Sequence, residues 1–320
     1  MPFIIGRMIA AIPGLQVSKD VPLAAYTRFG IGGPAAILAE SDGAESFIAA
    51  LRAARASGYS TVVIGGGTNL IVSDQGFPGI VLRFTANQIH AEGLIVTADA
   101  GADLQALVDF TVERGLKGLE TLAGIPGWVG GAVYGNAGAF GHSISERIAA
   151  VSFTDGETVH TLTNPECEFH YRESIFKRRK DWIVLSATLA LEPTDPGELY
   201  ETAAGIERVR DEKFPRTMQC AGSIFKNLIL AELSPTVAAQ VPPTVVREGK
   251  VPAAWFLEQV GAKGESLGAI RVADYHANLI YNTGGGTARD LLALIHELAS
   301  RVKRRFGLEL EEEVQFVGSR

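Results

Sequence analysis

Cysteine is almost missing from this chain: its 320 residues include two, Cys167 and Cys220. Two isolated thiols exclude a disulfide framework, and neither sits in a paired metal-ligand spacing, so a reducing compartment is expected. The six histidines fall at 90, 142, 160, 170, 276 and 296 and form neither H-x-x-x-H nor H-E-x-x-H. No metal centre is therefore expected. No apolar run approaches the length of a membrane span. Surplus positive charge is missing too: 29 Lys and Arg stand against 36 Asp and Glu, a net charge of −7. A mildly acidic, well-mixed chain argues against sequence-independent nucleic-acid binding and leaves room for local basic pockets that take an anionic small molecule. The first fifteen residues are apolar but interrupted by Arg7 and Pro13, without a positive leader before the apolar part. They read as a short extension of a cytoplasmic protein.

What the chain has in excess is glycine, 36 residues or roughly 11% against a usual value of about 7%. With 47% apolar residues the length suggests about two domains. Ser41-Asp42 opens a helix with Phe47, Leu51 and Ala54 at helical spacing, closed by Gly58. Strands are expected at 61–64, 70–72, 80–82 and 94–97, and Asp103 caps a helix that ends at Gly115. Residues 124–141, GIPGWVGGAVYGNAGAFG, hold seven glycines in eighteen positions. That density argues against either helix or regular strand. Strand signals return at 149–153, 158–162 and 182–191, then helices at 198–212 and 253–260. A strand at 278–281, a long amphipathic helix at 288–305 and a final alternating strand at 308–317 complete the reading. Strand and helix do not alternate strictly, so the class is α+β with more than one domain and soft boundaries near 80 and 210.

Five motifs carry chemistry. Gly65-Gly66-Gly67-Thr68-Asn69 follows a buried strand. It is either a tight connection or a nest of backbone N–H groups for phosphate oxygens, and it matches neither G-x-G-x-x-G nor a Walker loop. The 124–141 stretch carries Ile125, Trp128, Val129, Val133, Tyr134 and Phe140. A flexible loop would be polar, so a buried, backbone-lined ligand site is the better reading. In Tyr171-Arg172-Glu173-Ser174-Ile175-Phe176-Lys177 an anchored guanidinium suits a carboxylate or enolate, and a surface pair of Arg172 with Glu173 is the alternative. Ser223, after Ala221-Gly222 and near Lys226, is a proton donor, a nucleophile or simply structural. Leu310-Glu311-Glu312-Glu313-Val314 puts Glu311 and Glu313 on one strand face and Glu312 on the other.

Taken in order, these motifs resemble the UDP-N-acetylenolpyruvoylglucosamine reductase family from about Tyr26 to Gly318. Thr27 to Gly33 resembles its N-terminal entry, with Arg28 departing from the pattern. Residues 64–70 are similar to its G-G-G-S-N-L loop with Thr68 for Ser, and 124–141 to its flavin segment. Tyr171 to Lys177, Ala221 to Asn227 and Leu310 to Val314 are similar to Y-R-x-S-x-F-K, A-G-S-x-F-K-N and L-E-x-E-V. Arg210 to Pro215, Ala254 to Gln259 and His276-Ala277-Asn278 also match. The resemblance implies a multi-domain α+β FAD-binding fold of the vanillyl-alcohol-oxidase/PCMH type, not a Rossmann fold, with a separate α+β substrate domain. It divides the chain into 1–80 with 306–320 and 81–210 as FAD-binding subdomains and 211–305 as the substrate-binding domain. It implies catalytic roles for Arg172, Ser223 and Glu313. Contacts to FAD are implied for Gly65, Gly66, Gly67, Thr68, Asn69, Gly124, Ile125, Pro126, Gly127, Gly130, Gly131, Asn136, Gly138, Ala139 and Arg210, and to substrate for Tyr171, Lys213, Lys226 and Asn227. No histidine lies in the 65–69 loop, so FAD is expected to be non-covalent, with NADPH as co-substrate. The implied reaction reduces a UDP-sugar enolpyruvyl ether in a cytoplasmic monomer that binds no metal, nucleic acid or membrane. The chain lacks the tyrosine-bearing loop of one subgroup and resembles the shorter one. The competing readings are another FAD oxidoreductase acting on a different sugar or hydroxyacid, and a nucleotide-binding scaffold without turnover.

Overall fold

A computed structural model describes residue 6 and residues 8–319; the start of the expected N-terminal extension lies outside them. The chain forms two compact units. The first takes Met1–Val21, Ala35–Gly67 and Pro78–Glu212, and the second takes Pro22–Pro34, Thr68–Phe77 and Lys213–Arg320.

In the first unit, strands run in the order Gln16–Pro22, Pro34–Ser41, Phe77–Phe84, Thr61–Val63, the last two paired in parallel. The helix Ala44–Ala56 buries Phe47, Leu51 and Ala54, the residues whose spacing predicts it. A five-stranded sheet follows, in the order Val159–Thr163, Ile148–Thr154, Ile183–Ala190, Ile95–Asp99, Ile89–Glu92, and its pairs are antiparallel. That is not the parallel, helix-flanked sheet of a Rossmann fold. The helix Leu104–Glu113 starts where the Asp103 carboxylate accepts from the Gln105 and Ala106 N–H groups. Its Leu107 and Val108 join Phe47, Leu82, Val96, Val133, Val151 and Phe176 in one core.

The second unit is built on an antiparallel sheet in the order Gln219–Ser223, His276–Asn282, Ile270–Ala273, Ser266–Leu267. The helix Ala288–Phe306 lays Leu291, Ile295, Leu298 and Val302 into its core. Thr287 caps its start, accepting from the Asp290 N–H, and Gly307 ends it at φ +70°. Phe225, Phe256 and Phe306 fill the same core. Gln315–Val317 pairs in parallel with Leu70–Val72. That pairing joins stretches the sequence reading groups as 1–80 with 306–320, yet both belong to the unit that holds 213–305.

Two expectations need correction. Residues 124–141 do contain a helix, Val129–Tyr134, and a short strand, Gly138–Ala139. The Gly130 N–H donates to the Ala100 carbonyl at 2.8 Å, and a Cβ on Gly130 would sit 2.8 Å from that of Ala100. Close packing on Ala100 thus outweighs the poor helix propensity of glycine. The final strand is shorter than expected, Gln315–Val317 rather than 308–317. Before it, the acidic run follows a neighbouring segment through single backbone bonds and a bridge from Glu312 to Phe225.

Candidate functional site

In the first unit the two glycine motifs meet at one side chain. A Cβ on Gly66 would lie 3.0 Å from the Trp128 indole, and one on Gly65 3.8 Å from it. Gly65 and Gly66 therefore lie against Trp128, and Gly67 turns the chain at φ +68°. The Arg83 guanidinium covers the same indole at 4.6 Å. It is held by Glu40 at 2.5 Å and by the Gly65 carbonyl at 3.4 Å. Neither Arg83 nor Glu40 stands in a recognisable motif, so only the fold brings them here.

Along the second motif, Gly124 donates to Gln105 Oε1 at 2.6 Å, and the Arg210 side chain passes within 3.1 Å of a Cβ built on Gly124. Ile125 packs on the core, Pro126 is exposed, and the Gly127 carbonyl accepts from the Leu104 N–H at 2.8 Å. A Cβ on Gly131 would meet nothing within 4 Å. Asn136, at φ +45°, is buried. Its amide donates to the His170 carbonyl at 2.9 Å and accepts from the Ser145 N–H at 3.3 Å. Gly138 and Ala139 pair with Ser143 and His142.

Arg172 is fastened to that segment. Its guanidinium donates to the carbonyls of Gly138 at 2.9 Å and Asn136 at 3.4 Å and stands 5.4 Å from the Tyr171 ring centroid. Its backbone is left-handed at φ +56°, a costly conformation for a non-glycine residue. The Lys177 ammonium donates to the Arg172 carbonyl and to Glu173 Oε1, both at 2.9 Å, and braces the turn. Glu173 thus pairs with Lys177, and Ser174 caps the next turn while donating to the Tyr134 carbonyl at 2.7 Å. The braces lie inside the motif that carries Arg172, so its spacing was the available signal for them.

In the second unit Ser223 ends the strand Gln219–Ser223, opposite Leu279. The next residues run beside the acidic segment. Glu313 donates its N–H to the Ile224 carbonyl at 2.7 Å, and Lys226 donates its N–H to the Glu311 carbonyl at 2.9 Å. Ser223 and Glu313 are thereby brought onto neighbouring, registered segments. The Lys226 ammonium points to Glu311 Oε1 at 2.5 Å. Glu311 is largely exposed, so that pair orients Lys226 more than it stabilises the fold. Glu312 lies 3.8 Å from His296 Nε2. Asn69 donates its amide to the Glu313 carbonyl at 3.0 Å. Asn227 Oδ1 accepts from the Ala253 N–H at 3.3 Å, and the Lys213 carbonyl accepts from the Tyr275 hydroxyl at 2.7 Å. Thr68 follows directly on Gly67, where the chain passes from the first unit to the second.

Among the described residues no cluster of His, Cys, Asp and Glu is arranged to hold a metal ion. No helix among them is long and apolar enough to cross a membrane.

Comparison with known proteins agrees with this layout. Residues 35–161 match a family described as FAD binding domain, and residues 214–317 match the UDP-N-acetylenolpyruvoylglucosamine reductase C-terminal domain. The chain is 64% identical over 310 residues to the UDP-N-acetylenolpyruvoylglucosamine reductase of Solibacter usitatus, covering 97% of this chain and 99% of that one. It is 33% identical to the Bacillus subtilis protein of the same name, over 95% of this chain and 94% of that one. The crystal structure of UDP-N-acetylenolpyruvylglucosamine reductase from Thermus caldophilus superposes with a TM-score of 0.75 at 30% identity, covering 95% of this chain and all of that one. The α+β, non-Rossmann FAD-binding class expected from the sequence is the class observed.

Proposed function

The chain belongs to the UDP-N-acetylenolpyruvoylglucosamine reductase family, and on that premise we propose how its residues serve the reaction. It is an FAD-dependent oxidoreductase that uses NADPH to reduce UDP-N-acetylglucosamine enolpyruvate to UDP-N-acetylmuramate, a peptidoglycan precursor. The observation that carries this is the match to the Solibacter reductase over 97% of the chain.

The first unit fits FAD. Backbone free of side chains runs over Gly65–Gly67, the Cβ direction of Gly131 is open, a methyl group on Gly66 would press on Trp128, and Gly138 has no room for one. Such a surface suits a flat ring and phosphates that must approach main chain. Gly65 to Asn69, Gly124 to Gly127, Gly130, Gly131, Asn136, Gly138, Ala139 and Arg210 would hold it without a covalent bond. When bound, FAD supplies the two-electron chemistry between NADPH and the enolpyruvyl double bond.

The rest falls to the protein. Negative charge develops on the substrate carboxylate as an enolate-like state, and a preorganised cation stabilises it. Arg172 fills that role: its guanidinium is held by two carbonyls and a braced turn. Ser223 Oγ gives its proton to the carbon next to the carboxylate. Glu313, in register with the Ser223 segment, acts on the same carboxylate. Tyr171, Lys213, Lys226 and Asn227 bind substrate. FAD belongs to 1–80 with 306–320 and to 81–210, and substrate to 211–305. The enzyme works as a cytoplasmic monomer, which sedimentation would test.

The decisive experiment is an anaerobic titration followed by visible absorption. The purified protein should show an oxidised-flavin band that NADPH bleaches and the enolpyruvyl substrate restores. A band that returns only with oxygen would mean another substrate.

A further inference from the structure

We propose that Asn278 is a positioning residue for the substrate half of the reaction, fixing Ser223 through the peptide of Phe225; this rests on the role given to Ser223 above. Main-chain pairing on this side of the strand runs through Ser223 opposite Leu279, after a register shift between Cys220 and Ser223. The Ile224 N–H then donates to the Asn278 carbonyl at 3.0 Å. One residue further, the Asn278 side chain replaces the missing backbone partner. Its Oδ1 accepts from the Phe225 N–H at 2.9 Å, and its Nδ2 donates to the Phe225 carbonyl at 2.8 Å. Turning the amide over would set donor on donor and acceptor on acceptor, so the two bonds fix its orientation.

Asn278 is 2% exposed. An amide buried so deeply is tolerated because both ends are satisfied, and it imposes one geometry where an aliphatic residue would impose none. The opposite edge of the same four residues carries the acidic segment, through the Glu313 N–H on Ile224, the bridge from Phe225 to Glu312 and the Lys226 N–H on Glu311. Asn278 is thus the far side of a three-part ladder whose other members bear the proton donor and the carboxylate. Slack there moves both groups, and a displacement of about 1 Å costs on the order of a hundredfold in a proton-transfer geometry.

The test uses the FAD-loaded enzyme and measures the two half-reactions separately by rapid mixing without oxygen. Asn278→Ala should slow reoxidation by the enolpyruvyl substrate at least about tenfold while flavin reduction by NADPH and the flavin spectrum hold within about twofold. Asn278→Asp keeps the shape and the bond from the Phe225 N–H but turns an acceptor toward the Phe225 carbonyl, and should be slowed similarly. In a Ser223→Ala background, adding Asn278→Ala should cost less than about threefold more, since the hydroxyl it positions is already gone. If Ser223→Ala alone leaves the substrate step unchanged, the role of Ser223 falls and this proposal falls with it. If Ser223→Ala slows that step, three outcomes overturn the Asn278 proposal alone: its variants have no effect, they slow both half-reactions equally, or they add their full effect to the serine change. Failure of both Asn278 variants to fold also overturns it, by making the residue a requirement of the fold.

Discussion

At the scale of residues, Arg172 is the side chain whose chemistry depends most on its braces. Two donated bonds to carbonyls and a left-handed backbone hold the guanidinium plane. A lysine keeps the charge and loses the fork. Arg172→Lys should lower the rate of the substrate half-reaction on the order of a hundredfold, with little change in the NADPH half, in the same anaerobic assay. His276 gives a pH dependence. Burial first, and then the Lys213 ammonium, hold its imidazole below the ordinary value of 6.5. The unfolded chain takes up that proton at a higher pH than the folded one. The stability this represents is present above about pH 6.5 and is lost as the pH falls through that value. Urea unfolding should show a smaller loss between pH 7 and pH 5.5 in His276→Gln than in the parent; an equal loss in both would remove His276 as the source. The roles of single residues were half legible in the sequence. Motif order marks Arg172, Ser223 and Glu313, but the direction of Lys226 depends on Glu311, 85 positions away. No local pattern encodes that distance.

At the scale of elements, the short hairpin of Gly138–Ala139 with His142–Ser143 links backbone shape to the anchored guanidinium. A Cβ at Gly138 would sit 2.5 Å from the His142 carbonyl oxygen, and the Gly138 carbonyl is the one Arg172 holds at 2.9 Å. Gly138→Ala should therefore destabilise the fold by about 1–3 kcal/mol and reduce turnover beyond what the fraction unfolded explains. Chemical denaturation beside steady-state rates would check both. Elements whose own residues carry the pattern were plain in the sequence. The helix Ala288–Phe306 has a cap, an apolar stripe and a terminal glycine. The helix Val129–Tyr134 was hidden because its cause, Gly130 seated on Ala100, is a contact thirty residues back. The acidic stretch before Gln315 alternates like a strand, yet it is tied to its neighbour only at intervals, so alternation alone overstated the element.

At the scale of the whole molecule, the FAD-binding match of 35–161 lies within the first unit apart from residues 68–77. Binding FAD to the folded state alone should raise the thermal midpoint, and at a hundred times the dissociation constant the gain is about 2.7 kcal/mol. Stripping the flavin and restoring it, followed by calorimetry, tests this; an unchanged midpoint would mean that the glycine-lined surface does not hold it. The α+β class was legible from irregular strand and helix order. The assembly of the units from interleaved pieces was not, because composition changes little where the chain passes from one to the other.

The parallel pairing of Gln315–Val317 with Leu70–Val72 has a consequence for how the protein is born. Leu70 leaves the ribosome long before its partner exists. At about 5–20 residues per second, the early strand waits tens of seconds with an edge open. Cotranslational folding of the second unit therefore stays incomplete until Gln315–Val317 has been made. A nascent chain stalled short of Gln315 should be captured by chaperones, whereas one released after Val317 has been added should not.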